Sequence, residues 1–533
     1  MISNNQADSS SLFSPISSNN MNSQEDYIES KLLKRQQDFI NSENFNDIKE
    51  NTMSSELSFG ENSRNLIFKQ RRLKQNKLIE ETTYPLKSKI SISLEWFEKC
   101  NSSNFTISQI SEIMQAFKNN SDINQKYFGL VGLRKILLLP ETPIQDLLNE
   151  GIIPDLLQLL DLNSNPEFQN EALLCLSYIT SNTNEQISNF VAKQGMQIFL
   201  KLFDSSIEEI KLQIPLLIGN LINNSFKIRN SYIEGKIFDK LLTTLASTNQ
   251  KKLIKNYTWA INLFFRIKPI MAYDAAKKSI KIIARHIILL QDDIDFLSDA
   301  CYILCFITEN YKEGIQELME FDILEIIIKL LDCNVTQVQI ICLRIIGNIA
   351  AGNANQTQQL IDLGLLDHLK TTIFSKKKII RKETAWILSN IAAGTQKQVE
   401  TLIAEEFLPI FEKTIKFDEP DVKKECIWAM CNLTSAKNPI YLKKILEEGI
   451  LECIHQCLLI DEAKNLAVAL EALGNLCYYG KENKQGDVNP VVKEIERLGM
   501  NDLLEQLQTH PVEIVYEKTL NLLLNYFDVQ YNE

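Results

Sequence analysis

From about residue 106 to the end of the chain, apolar residues recur at the three- and four-residue spacing of helices that bury one face. Runs such as IPDLLQLL from Ile153, MQIFLKLF from Met196 and LEIIIKLL from Leu324 each predict such a helix. Gly151, Gly195, Gly235, Gly364 and Gly449 stand between runs, after stretches such as IQDLLNEG and LKKILEEG. These glycines predict helix ends, because Gly takes the left-handed conformation without a Cβ clash. The pattern is different before residue 106. Residues 1–60 are rich in Ser and Asn and poor in large apolar side chains, which predicts a disordered tail. Residues 61–82 carry a basic stretch, RNLIFKQRRLKQNK from Arg64 to Lys77, and residues 83–105, with Pro85, read as a linker.

The helical pattern repeats. One helix position recurs at Lys135, Tyr178, Asn220, Leu263, Phe306, Asn348, Asn390, Asn432 and Asn475, always 42 or 43 residues apart. A period of roughly 40–47 residues with two or three helices per unit is the signature of armadillo and HEAT arrays. One such unit cannot bury its own apolar faces, whereas stacked neighbours share a continuous core. The expectation is an all-α, armadillo-repeat, right-handed superhelical solenoid of about nine or ten repeats over residues 106–533.

Composition changes this picture little but narrows function. A chain of 533 residues exceeds what one compact core supports, roughly 250–300 residues, and its 45% hydrophobic content is ample for folding. Only 17 Gly and 13 Pro leave too few turns for an all-β fold. The net charge of -12, from 68 acidic and 56 basic residues, argues against a general nucleic-acid binder and suits a basic partner. The polar N-terminus lacks a signal-peptide core, no uncharged apolar run reaches the ~18–20 residues of a membrane span, and the eleven cysteines form no CxxC pair. The chain thus reads as soluble, intracellular and reduced.

The repeats carry a second pattern. Trp386 and Asn390 occupy the same places in their repeat as Trp428 and Asn432 in the next; Arg344 with Asn348, and Glu471 with Asn475, fill those places in two others. An i,i+4 spacing sets each pair on one helix face, and the period stacks the faces into a ladder. An Asn amide both donates and accepts, so a ladder of amides can hold the main chain of an extended peptide. Trp faces on either side would take the stems and charges of Lys or Arg, at about 0.5–2 kcal/mol for each cation–π contact. Glu383 and Glu425, one turn before each Trp, would favour those cations. A packed-core role for Trp and Asn is the competing reading; the repeated polar amide, which needs a partner each time, weighs against it.

The segments RKETAWILSNIAAG, DVKKECIWAMCNLTS, LRIIGNIAAGNANQTQ and WAINLFFRIKP resemble successive repeats of importin-α, and the tail from Asn489 resembles that family's last repeat. The resemblance spans about residues 106–528. It implies a nuclear import adaptor that binds nuclear-localisation signals, engages importin-β, shuttles between cytoplasm and nucleus, and releases cargo with Ran-GTP and an export receptor. It implies no enzyme, cofactor, direct nucleic-acid contact or membrane insertion.

In that family a major signal site lies in the N-terminal repeats and a minor one in the C-terminal repeats. The minor-site pattern is matched by Arg344, Asn348, Thr357, Glu383, Trp386, Asn390, Glu425, Trp428 and Asn432. The major-site pattern is eroded: Asn220 and Trp259 remain, but Leu174, Tyr178, Leu216 and Leu263 replace Trp or Asn. Asn224 stands where an Asp is expected and Ile187 where a Thr is expected. A lost carboxylate contact weakens binding by about 1.5–3 kcal/mol, so the C-terminal groove is expected to dominate. Lys69, Arg71, Arg72, Lys74 and Lys77 resemble part of the importin-β-binding segment; the family's terminal Lys-Arg-Arg cluster is replaced by LIEE, which implies weak autoinhibition. An exposed basic helix or a cleaved linker is the alternative for this stretch.

Other motifs carry no chemistry. Cys453, His455 and Cys457 do not share one helix face, and they read, like Cys301 and Cys305, as buried cysteines. No HExxH, Walker loop, GxGxxG or GxSxG appears among the four histidines and the glycines. The basic run Lys376–Lys378 with Arg381 and Lys382 reads as a solvated helix end. Two rivals to the adaptor stand: an armadillo scaffold that has lost transport and presents its groove to a dedicated partner, and an enzyme-associated or regulatory role with non-basic cargo.

Overall fold

The structure is a computed structural model that describes residues 94–139, 144–161, 165–181, 185–223, 225–436, 438–460, 462–484 and 488–527. The tail at 1–60, the basic stretch with Lys69, Arg71, Arg72, Lys74 and Lys77, and Asn224 lie outside the described residues. A helix at Leu94–Ser102 falls in the segment read as a linker.

Among the described residues the secondary structure is helical, with no β-strand. Ten helices hold the repeating third place of the array: α1 (Ile123–Leu137), α2 (Pro166–Ser181), α3 (Glu208–Asn223), α4 (Lys251–Arg266), α5 (Ile294–Asn310), α6 (Thr336–Ala350), α7 (Lys378–Ala392), α8 (Pro420–Leu433), α9 (Ala463–Glu482) and α10 (Glu513–Tyr526). Every position of the 42–43-residue period from Lys135 to Asn475 falls in its own helix, from α1 to α9. Two shorter helices precede most of them, such as Gln396–Ala404 and Phe407–Phe417 before α8. This is the all-α, armadillo-repeat solenoid.

The chain forms two compact units that divide within α6, one up to Ile345 and one from Ile346. In the first, α1 packs on α2, α2 on α3, α3 on α4 and α4 on α5. In the second, α7 packs on α8, α8 on α9 and α9 on α10. Each third helix is therefore apolar on two sides. In α7, Ile380, Ala385, Ile387, Leu388 and Ile391 are all buried, and in α3 so are Ile210, Ile214, Leu217, Ile218 and Leu221. Full burial of one such side chain stabilises by about 1.5–3 kcal/mol, and those contacts come from neighbouring repeats.

Helix starts and stops follow local chemistry. Asn353 and Thr395 open helices Ala354–Asp362 and Gln396–Ala404 with capping boxes closed by Gln356 and Gln398. The Gln398 amide also donates to the carbonyl of Ala354 in the preceding repeat (2.8 Å), so a cap doubles as a tie between repeats.

Gly151, Gly364 and Gly449 separate helices in the left-handed conformation, at φ 76°, 83° and 75°. Two of the expected glycine breaks differ. Helix Glu185–Leu202 runs straight through Gly195, because the Phe199 ring lies where a Cβ would stand, 2.2 Å away; close packing, not a turn, requires Gly there. Gly235 ends its helix with an ordinary φ of -77°, and the left-handed residue is the next one, Lys236, at φ 69°. Glu406, 42 residues after Gly364 and 43 before Gly449, holds φ 60°. The repeat geometry thus imposes a left-handed residue even where the sequence offers a side chain. Replacing Glu406 by Gly is expected to stabilise the protein by about 1 kcal/mol, read as a raised urea midpoint.

An ion pair joins α7 to the loop before α8. Arg381 donates through Nε and Nη2 to the two Asp418 oxygens at 2.8 Å each, and through Nη1 to the Ser375 carbonyl. Burial opposes the Asp418 charge, but hydrogen bonds from Arg381 and the Glu419 amide outweigh it and hold the carboxyl below the usual range. A depressed carboxylate contributes stability above its unfolded pKa, and that contribution disappears as pH falls through the folded value. Asp418→Asn is expected to cost about 1.5–3 kcal/mol at pH 7, with the gap to wild type closing below pH ~4 in urea melts.

The cysteines are free thiols, all buried except half-buried Cys333. Burial pushes Cys453 up to about 11 and Cys457 up to about 12, which keeps both as thiols at neutral pH. Among the described residues no His, Cys, Asp and Glu group could hold a metal ion, and no helix is long and apolar enough to cross a membrane.

Candidate peptide-binding ladder

On α7 the Glu383, Trp386 and Asn390 side chains occupy successive turns of one face; on α8 Glu425, Trp428 and Asn432 do the same one repeat later. Asn348 lies near the end of α6 and is buried, and Arg344, one turn earlier, is half-buried. The sequence period thus places these residues at matching turns of three helices.

The Trp386 ring lies over Gly347 of the preceding repeat, where a Cβ would stand only 2.1 Å from Cζ3. That seat explains why the residue before Asn348 is Gly, and it leaves Trp386 only 3% exposed. Ser389 holds the place of Gly347 one repeat later, and Trp428 is more exposed. It is fixed differently, by its indole N–H donating to Asn465 Oδ1 at 2.7 Å. Asn465 is itself held by Glu462 (2.8 Å), and Glu462 pairs with Lys424 (2.6 Å), whose ammonium stands 5.9 Å from the Trp428 ring centre. Gly347 and Asn465 were missed by sequence reasoning as site residues. The recurring Gly-Asn dipeptides at 219–220, 347–348 and 474–475 were the available signal for the first; the second, on the next helix, leaves none.

The amides divide into two kinds. Asn432 donates through Nδ2 to the Ser389 carbonyl of the preceding repeat at 3.1 Å, and Asn220 does the same to Ser177 at 3.1 Å. This bond orients the carboxamide and leaves each Oδ1 as an acceptor with no partner among the described residues. Asn390 is 1% exposed, and neither of its amide atoms has a hydrogen-bond partner among the described residues. Asn475 donates to the Thr434 hydroxyl at 3.2 Å. Ser389 donates to the Trp386 carbonyl (2.9 Å) and to Glu425 (3.3 Å), which ties one ladder helix to the next. Thr357 is fully buried, with its hydroxyl turned to the Ala350 and Asn353 carbonyls at 3.2 Å each.

The N-terminal ladder is built from other parts. Leu174, Tyr178, Leu216 and Leu263 are buried at the expected Trp and Asn places, and half-buried Trp259 rests over Gly219, whose Cβ would stand 2.4 Å from the ring. Ile187 is half-buried on the helix after α2.

The acids of this unit are met from within. Glu171, in the place of Glu383, takes Arg134 Nε at 2.5 Å, with both side chains under 10% exposed. Asp299 takes the Asn262 amide at 2.7 Å, and the Arg266 guanidinium lies 4.3 Å from the Tyr302 ring centre. Burial pushes the Tyr302 phenol up, against the lowering effect of Arg266. This ladder already contains the cations that its acids and aromatic faces would attract.

The fold and its ladder define an armadillo-repeat protein. The Armadillo/beta-catenin-like repeat family model matches residues 140–181 and 353–393. The chain is 32% identical over 399 residues to Importin subunit alpha-1b of Oryza sativa subsp. japonica, covering 74% of each chain. It is also 32% identical over 410 residues to Importin subunit alpha-3 of Arabidopsis thaliana (76% and 77% covered), and over 422 residues to Importin subunit alpha-B of Dictyostelium discoideum (78% and 81%). The crystal structure of an engineered protein shares the fold at TM-score 0.65 and 20% identity, over 78% of this chain and 98% of that one. By these relatives the chain belongs to the importin subunit alpha family.

Two glycines separate seating from helix propensity. Gly347→Ala is expected to displace Trp386 and cost about 1–3 kcal/mol. Gly474→Ala, with nothing within 4 Å of the new Cβ, is expected to stabilise α9 by about 1 kcal/mol. Thermal melts and Trp fluorescence of both variants test the assignment.

Proposed function

We propose that the chain is a nuclear import adaptor that binds lysine- and arginine-rich localisation peptides on its C-terminal ladder. The observation that carries this reading is the unmet hydrogen-bonding capacity on α7 and α8: Asn390 has both amide atoms unpartnered and Asn432 keeps a free, oriented Oδ1. Buried polar groups in folded proteins are otherwise almost always paired. The main-chain amides of an extended peptide supply the missing partners once the site opens to them. Trp386 and Trp428 flank the lysine stems, and Glu383 and Glu425 favour their charge. Asn348, Arg344 and Thr357 extend or support the same ladder. Asn220 and Trp259 contribute little, because the neighbouring acids and aromatic faces are occupied by Arg134, Asn262 and Arg266.

In this proposal the basic stretch Lys69, Arg71, Arg72, Lys74 and Lys77 engages importin-β, and the family names of the relatives support that role. The adaptor shuttles between cytoplasm and nucleus and works by binding and release, with Ran-GTP and an export receptor as further partners. A second reading, an armadillo scaffold retired from transport, draws on the self-occupied N-terminal ladder. Loss of importin-β binding would favour it.

The test is a fluorescence-anisotropy titration of the full chain with a labelled bipartite lysine-rich peptide and a charge-neutral control. Binding at micromolar concentration or tighter is expected. Trp386→Ala/Trp428→Ala should weaken it at least about tenfold, while Trp259→Ala leaves it within about twofold. No binding by the wild-type chain would overturn the adaptor.

A further inference from the structure

The unit that begins at Ile346 exposes large apolar side chains at one repeat position. Phe374 is 48% exposed, Phe417 81%, and the adjacent Leu459 and Ile460 62% and 48%. Phe374 and Phe417 are 43 residues apart, and Leu459 follows 42 later, so each stands at the end of the second helix of its repeat, just before α7, α8 and α9. Single exposed apolar residues are ordinary; a row in register with the repeat is a patch, and such patches mark interaction surfaces.

The unpaired charge nearest Phe374 is positive. Four acids beside Phe374 and Phe417 are already engaged: Glu412 by Lys416, Asp418 by Arg381, and Glu419 and Asp421 by Lys378. Lys376, Lys377 and Lys413 have no ion pair among the described residues, and Lys413 lies 4.8 Å from the Phe374 ring centre, reaching back from the following repeat. Lys423 adds a further cation, with its ammonium on the Lys416 carbonyl. The basic run that the sequence offered as a solvated helix end therefore borders the aromatic row.

We propose that this row is a docking surface for an acidic, extended peptide segment with apolar side chains at every third residue. Packed helices lie about 8–10 Å apart, and one three-residue turn of an extended polyproline II segment covers about 9 Å and returns the side chain to the same face. The stem of every third side chain would then meet the next apolar residue of the row, while Asp and Glu between them meet Lys376, Lys377, Lys413 and Lys423. The row lies at the N-terminal ends of α7 and α8, separate from the Trp and Asn turns of the ladder, and does not depend on what the ladder binds.

The experiment titrates the full chain against a fluorescein-labelled peptide with Phe or Leu at every third position and Asp or Glu between. A Ser-for-apolar peptide, a Lys-for-acid peptide and anionic phosphatidylserine vesicles serve as comparisons. The acidic apolar peptide is expected to bind, and Phe374→Ser/Phe417→Ser and Lys376→Glu/Lys377→Glu/Lys413→Glu each to weaken it by at least about tenfold. Urea melts of both variants should match wild type, because the substituted side chains are exposed. No binding by the wild-type chain, equal binding by the Phe variant, equal binding of the Lys-for-acid peptide, or association with vesicles but not with the peptide would each overturn the proposal.

Discussion

No repeat in this chain can bury its own apolar faces, and everything else follows from that constraint. Within each unit, third helices such as α2, α3, α4, α8 and α9 pack against their counterparts before and after, so their apolar surface is shared with two neighbours. The register between repeats must then hold to within a side chain. It is held by polar ties as well as by packing: Gln398 to Ala354, Asn432 to Ser389, Asn220 to Ser177, and Arg381 to Asp418. Within each unit the same register brings one helix position of successive repeats into line, which is what makes a ladder of side chains possible.

Asn432 and Asn220 show how one residue serves both fold and ladder. Their amide nitrogens close the gap to the preceding repeat, and that bond fixes the direction in which the oxygen is presented. The core reading and the binding reading of these residues are therefore not exclusive. Asn390 differs, since the described residues offer neither of its atoms a partner. The tryptophans divide likewise: Trp386 gains its position from the Gly347 seat, Trp428 from a hydrogen bond to Asn465.

The two ladders differ in what meets their acidic and aromatic places. Near the N-terminus, Arg134, Asn262 and Arg266 meet the acids and the aromatic face from within the fold. Leucines and a tyrosine fill the other places. Among the described residues hydrogen-bonding capacity is left over at Asn390 and Asn432, as it is at Asn220 Oδ1 in the first unit, and the C-terminal surplus is what supports the proposed peptide.

The sequence by itself determined the helical class, the 42–43-residue register, the helix that carries each ladder residue and the left-handed glycines at 151, 364 and 449. These are properties of local pattern: a 3.6-residue period and a chain-length repeat survive whatever the neighbours do. It misplaced the role of Gly195, because a glycine required by a ring packed on it and a glycine required by a turn look the same in one dimension. It also left no sign that Arg134 faces Glu171, that Asn465 holds Trp428, or that Lys413 reaches Phe374. Those contacts join residues 37 to 39 positions apart, on neighbouring repeats. Only the stacking of repeats decides which side chains meet, because a difference of a few ångströms in register exchanges one partner for another while leaving every local helix signal unchanged.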